Sequence, residues 1–161
     1  MQAALNLVHV ASAFIWAGGA IFLALFVSRA AQAAGPAAGP FMGALLTRTP
    51  LADVMLGASF LTVGSGAWLW VRAFGGEMPS GWRGAALSIG ALAGIAALTL
   101  GLARQRPTIL AMQRLMVELA GGAPSEEQAV RMAGLRTKMT SFGNALAILV
   151  GIAITGMALG A

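Results

Sequence analysis

The only histidine of the chain, His9, is the side chain with the greatest capacity for chemistry. Its imidazole could bind haem iron or copper, could pass protons, or could form a hydrogen bond to another helix. Trp16 follows seven residues later and Ser12 lies between them, so the three residues share one face of a helix. They form the candidate cofactor site, with His9 as the metal ligand and Trp16 as a wall of the pocket.

Other catalytic constellations are missing from the sequence. The chain has no cysteine, which excludes thiolate metal sites and cysteine nucleophiles. No carboxylate pair is expected inside the membrane, because the acidic residues stand at the ends of apolar runs or between them: Asp53, Glu77, Glu118, Glu126 and Glu127. No catalytic residue is predicted, and a haem-dependent membrane oxidoreductase is the only enzyme class that stays open.

Four long apolar segments must position these side chains. Of the 161 residues, 58% are hydrophobic and 9% are charged, whereas a water-soluble domain carries about 25% charged residues. About 20 helical residues cross a bilayer core, and a backbone in lipid must satisfy its own hydrogen bonds. The sequence therefore predicts an all-α integral membrane four-helix bundle. It forms a single domain over residues 1–161, with spans at about 3–28, 54–71, 84–103 and 139–160.

The connection between the third and fourth spans has helical character of its own. Apolar and charged residues are interleaved over residues 107–120, which predicts a short interfacial helix. Gly121 and Gly122 are expected to end it. Ser125 and Gln128 form a capping-box pattern, so a new helix is expected to start there and to continue into the fourth span.

The distribution of basic residues predicts the orientation. Eight of the ten Lys and Arg residues lie in the first and third connections, and two lie in the middle one. Because cytoplasmic loops carry the excess of positive charge, both termini are expected on the outer, periplasmic side of a bacterial cytoplasmic (inner) membrane. The basic residues stand singly at the ends of apolar runs, a pattern of membrane topology rather than of nucleic-acid binding.

A small polar pocket is expected around His9. Counting depth from the outer ends of the other spans brings Ser65, Ser88, Thr155 and Met157 to about its level. The imidazole there is either a metal or porphyrin ligand, a proton relay, or a neutral group that bonds across the bundle to Ser or Thr. Copper would need further ligands, which a His–Met pair with Met157 or a site shared with another chain could supply.

Glycine stripes predict how the spans pack. Helices in lipid associate through close backbone approach and polar contacts, and small residues favour both. The predicted packing residues occur on the last three spans: Gly57, Gly64, Gly90, Gly94, Gly101, Gly151 and Asn144. They either bring the four helices of one chain together or form a docking face for a membrane-protein partner or a second copy.

The first helix resembles that of a known family. The cluster His9-x6-Trp16-x-Gly18-Gly19 is similar to the opening helix of copper-resistance-D-like and related four-span bacterial membrane proteins. The Arg–Pro step over 104–107 and the basic helix before the last span extend the likeness loosely over most of the chain. The resemblance implies that His9 is a metal or haem ligand.

A more distant likeness points in the same direction. The HemJ-type protoporphyrinogen oxidases, which bind haem, have a similar His-x6-Trp start. They also carry a basic residue within a later helix. This chain lacks that basic residue, so the resemblance does not extend to their enzymatic activity.

Two functions are therefore expected from the sequence. The first is a small inner-membrane protein that binds haem, another porphyrin-type pigment or copper through His9. The alternative is a structural or accessory subunit of a larger respiratory or photosynthetic membrane complex, without a cofactor of its own.

Overall fold

The computed structural model describes residues 2–119 and 122–160, which contain helices and turns and no strand. Four helices are long and apolar enough to cross a membrane, and a short helix lies between the first two of them. The all-α membrane bundle predicted from the sequence is confirmed. The helices are α1 (Gln2–Ala34), α2 (Gly39–Thr47), α3 (Leu51–Phe74), α4 (Gly81–Leu119) and α5 (Glu126–Gly160).

The membrane helices extend beyond the apolar segments that predicted them. The helix α1 continues past Arg29 to Ala34, and Gly35 then adopts a φ of 57°, a conformation that glycine reaches without steric cost. The helix α3 ends in the same way at Gly75, whose φ is 63° and whose N–H donates to the Val71 carbonyl at 2.8 Å. Both helices thus end at a glycine and extend beyond the charge-free segments.

The predicted capping box at the start of α5 is confirmed. The Ser125 N–H donates to Gln128 Oε1 at 2.9 Å, and the Gln128 N–H donates to Ser125 Oγ at 3.2 Å. The helix then runs through Lys138 into the fourth span without interruption. These reciprocal hydrogen bonds satisfy N–H groups that the first turn of a helix would otherwise leave free.

The helix predicted over residues 107–120 is present, but it is continuous with the third span. A π-helical turn over Gly101–Gln105 joins the two parts just before Pro107, and such turns and prolines are the usual places where long helices bend. The part of α4 after this turn packs against α2 and α5, and Met112 and Leu115 are buried there. Ala120 and Gly121, at its predicted end, lie outside the described residues.

The side chain of Gln113 links this C-terminal part of α4 to α2. Its Nε2 donates to the carbonyl oxygen of Leu46 in the last turn of α2. Carbonyl groups in the last turn of a helix lack partners within the helix. The short helix α2 is therefore held against α4 by a hydrogen bond as well as by apolar contact.

The backbones of α4 and α5 approach each other closely at glycine residues. A methyl group added at Gly156 would stand 2.6 Å from the Ala86 carbonyl oxygen, and one added at Gly90 would stand 3.0 Å from the Ala153 carbonyl oxygen. One added at Gly160 would meet the Arg83 carbonyl oxygen at 2.9 Å. The G-x-x-x-G pattern at residues 156–160 thus provides this contact together with Gly90, as small residues do between membrane helices.

The other predicted packing residues differ in role. Gly94 lies in ordinary contact distance of α5, since an added methyl group would stand 4.0 Å from Ala153 Cβ. Asn144 faces a cavity between the helices. An added methyl group would meet no atom of the described residues within 4 Å at four positions: Gly57, Gly64, Gly101 and Gly151.

The core of the bundle lies where all four spans meet. It consists of one large ring and four smaller residues: Trp16, Ala17, Ala58, Ala97 and Val150. Alanine at the facing positions leaves room for the indole, which buries a large apolar surface. The ring of Trp16 is 7% exposed, so the residue predicted as a pocket wall is also the centre of the helix packing.

We expect Gly156→Ala to destabilise the bundle, because the new methyl group would overlap the backbone of α4 and force the helices apart. Overpacking of this kind costs about 1–3 kcal/mol, and thermal unfolding in detergent measures it. Gly151→Ala on the same helix is the matched control, since its methyl group meets nothing within 4 Å among the described residues. Equal melting temperatures for the two variants would contradict the α4–α5 contact.

Candidate functional site

The imidazole of His9 faces α3 and bonds to its backbone. Its Nδ1 lies 2.9 Å from the Thr62 carbonyl oxygen and 3.2 Å from Ser65 Oγ. A carbonyl oxygen only accepts hydrogen bonds, so Nδ1 carries the hydrogen and donates it. In the uncharged ring, Nε2 then keeps its lone pair and is the nitrogen available to a ligand.

Gly66 provides the space for this contact. In a helix, the Thr62 carbonyl also receives the N–H four residues later, which is that of Gly66. A methyl group at Gly66 would stand 2.9 Å from His9 Cε1 and 3.3 Å from Nδ1. The absence of a side chain at Gly66 therefore lets the imidazole approach the backbone of α3.

Three hydroxyl groups continue the polar contact between α1 and α3. Thr62 Oγ1 lies 2.9 Å from Ser12 Oγ, and both residues are buried. Ser12 Oγ also donates to the Val8 carbonyl at 2.7 Å, and Ser65 Oγ donates to the Leu61 carbonyl. Thr62 Oγ1 also lies 2.8 Å from the Ala58 carbonyl of its own helix, so the hydroxyl groups share their hydrogens between contacts within a helix and contacts between the two helices.

The structure brings together only part of the predicted pocket. His9, Ser12 and Ser65 meet at the contact of α1 with α3, as the previous distances show. Ser88 instead donates to the Gly84 carbonyl, and Thr155 donates to the Gly151 carbonyl and is exposed. These two residues therefore bond within α4 and α5 and not to His9.

Met157 lies within the α4–α5 contact. Its backbone nitrogen stands 3.0 Å from the position of a methyl group on Gly90. No group of three or more His, Asp or Glu residues in residues 2–119 and 122–160 could hold a metal ion. The group at His9 that could bind a metal is thus one ring nitrogen, Nε2, while a carbonyl oxygen and a hydroxyl oxygen contact the other ring nitrogen, Nδ1.

Sequence reasoning missed two residues that shape this site. Thr62 supplies the acceptor, and Gly66 supplies the space. Their signal is the spacing on α3, where Ala58, Thr62 and Ser65 place small side chains on the buried face one turn apart.

Comparison of the chain with models of known protein families, with curated proteins and with solved structures finds no match.

We expect Gly66→Ala to push the imidazole away from the Thr62 carbonyl. Gly64→Ala is the matched control on the same helix, and it should leave the ring in place because open space surrounds Gly64. Nitrogen-15 NMR of histidine-labelled protein reports on His9 alone, because it is the only histidine. The parent protein and Gly64→Ala should show the tautomer protonated at Nδ1, and Gly66→Ala should alter that signal. An Nε2-protonated ring in the parent protein would refute the geometry.

Proposed function

We propose that the protein binds haem through His9 Nε2 in a bacterial cytoplasmic membrane. The observation that supports this proposal is the hydrogen bond from His9 Nδ1 to the Thr62 carbonyl oxygen, at 2.9 Å. Metal-binding histidines usually donate their second ring N–H to a carbonyl or carboxylate, which fixes the tautomer and orients the ligating nitrogen. His9 has this arrangement, with Nδ1 bonded to the Thr62 carbonyl.

The donor set fits haem better than copper. Haem iron is held in many proteins by one axial histidine, and the macrocycle itself supplies four nitrogens. A copper site built by this chain alone would need further nitrogen or sulfur donors beside His9, and Met157 belongs to the α4–α5 contact. Haem would supply a one-electron redox centre, while His9 would bind it and Thr62 would orient His9.

The half-buried position of His9 is compatible with a flat macrocycle. Because His9 is only half-buried, haem would approach it from outside the α1–α3 pair. Any further ligand to the iron would come from another chain or from a small molecule. This proposal does not require an enzymatic activity of the protein.

The orientation belongs to the same proposal. Eight of ten basic residues flank the ends of the spans opposite to His9, which favours both termini on the periplasmic side. His9 would then lie in the outer half of the membrane.

A second candidate is an accessory subunit of a larger membrane complex. The His9–Thr62 hydrogen bond also satisfies the imidazole without any cofactor, as a cross-helix contact would. Gly57 and Gly64 stand one heptad apart on an exposed face of α3, with open space above both. Such a face accommodates the close approach of a helix from a partner or a second copy.

An absorption spectrum distinguishes the two candidates. We expect protein purified from haem-replete cells to show a Soret band that His9→Ala abolishes, and imidazole added to His9→Gly should restore it. Thr62→Val is the matched control, because it removes the hydroxyl group but keeps the carbonyl that orients His9.

A colourless preparation that takes up no added haem would contradict haem binding. If that preparation co-purifies with other membrane subunits and His9→Ala leaves the association intact, the accessory role is supported instead. A Soret band of equal intensity in His9→Ala would exclude His9 as the ligand.

A further inference from the structure

A large cavity lies between the helices on the side of Trp16 that faces away from His9. Its volume is about 670 Å³, and residues of all five helices line it. Ligand-binding cavities in proteins have about 300–1,000 Å³ and walls that are mostly apolar. Five methionines contribute to the wall: Met42, Met55, Met112, Met116 and Met139. Methionine side chains are flexible and adapt to apolar ligands.

The three π-helical turns of the described residues all contribute to this wall. They cover Phe14–Gly18 and Leu23–Val27 on α1 and Gly101–Gln105 on α4, and each places residues along the cavity. Turns of this kind widen a helix locally and occur frequently at functional sites. The irregular backbone is therefore concentrated around one space.

A buried acceptor in the wall lacks a partner. Gln105 Oε1, at the end of the π-helical turn of α4, is buried and makes no hydrogen bond to any described residue. Buried polar atoms in proteins are normally satisfied, so an acceptor in this position calls for a donor from a bound molecule. Gln105 is among the residues that line the cavity.

The cavity is apolar at one end and charged at the other. Trp16 and Ala97 belong to the buried core of the bundle, whereas Arg106 and Arg136 line the far end together with Asp53. Along α1 the wall runs from Trp16 to Gln32, about 24 Å at the rise of an α-helix. That length matches one leaflet, which is about half of a bilayer some 40–45 Å thick.

We propose that this cavity binds one anionic phospholipid of the leaflet at the arginine end. The phosphate pairs with Arg106 and Arg136, a headgroup hydroxyl donates to Gln105 Oε1, and an acyl chain extends toward Trp16. The two arginines outweigh Asp53, so the charged end prefers an anion to a zwitterion. This inference does not depend on haem binding at His9.

Native mass spectrometry of the full-length protein in detergent tests the proposal. The protein is offered chain-matched mixtures of phosphatidylglycerol, phosphatidylmethanol and phosphatidylcholine. Phosphatidylmethanol has the same charge as phosphatidylglycerol but no hydroxyl group. We expect one retained lipid per chain, with an anionic preference over phosphatidylcholine and a further preference of about fivefold for phosphatidylglycerol, the usual effect of one hydrogen bond.

Two sets of variants separate the charge from the hydroxyl group. Arg106→Gln with Arg136→Gln should abolish the anionic preference. Arg104→Gln with Lys138→Gln removes the same charge from the same two helices outside the cavity wall, so this control should keep the preference. Gln105→Leu should keep the anionic preference and lose the distinction between phosphatidylglycerol and phosphatidylmethanol.

Brominated acyl chains locate the lipid tail. In a background with Trp68→Phe, Trp70→Phe and Trp82→Phe, Trp16 is the remaining tryptophan. Brominated phosphatidylglycerol should quench its fluorescence with saturation near one lipid per chain. Equal retention of all three lipids, equal losses in the two double variants, or quenching without saturation would overturn the proposal.

Discussion

Hydrocarbon offers no hydrogen-bond partner, and this constraint determines where the polar side chains of the chain can lie. An imidazole within a membrane span needs an acceptor from the protein itself. His9 finds one in the Thr62 carbonyl at 2.9 Å, and the contact is possible because Gly66 has no side chain. Ser12 extends the same contact with a hydroxyl group that is buried between the helices.

The bundle therefore consists of two helix pairs with different chemistry. The helices α1 and α3 are joined by polar side chains around His9, whereas α4 and α5 are joined by backbone contact at Gly90 and Gly156. Trp16 fills the space where the pairs meet. The polar contact of α1 with α3 orients the ring nitrogens of His9. Beside the π-helical turns, the helices leave a cavity, and Gln105 in its wall has an amide oxygen without a partner among the described residues.

The sequence predicted the spans and the position of each residue along its span, but it could not predict which side chains of different helices face each other. Apolar runs predicted four helices and a polar partner for His9, because both follow from the solvent around the chain. Counting along the spans placed Ser88 and Met157 beside His9, whereas Ser88 bonds within α4 and the backbone of Met157 lies against Gly90 of α4. Charges likewise predicted where hydrocarbon ends, but α4 continues past Arg104 because a charged residue outside the hydrocarbon is compatible with a helix.

Disulfide cross-linking in native membranes tests the central contact most directly, since the chain has no cysteine of its own. Ser12→Cys combined with Thr62→Cys places two thiols where oxygens now lie 2.9 Å apart. We predict rapid cross-linking of this pair by a mild oxidant. No cross-linking is expected for Phe14→Cys with Phe60→Cys, whose parent side chains are exposed. An uncross-linked Ser12–Thr62 pair, or equal reaction of both pairs, would contradict the polar contact between α1 and α3.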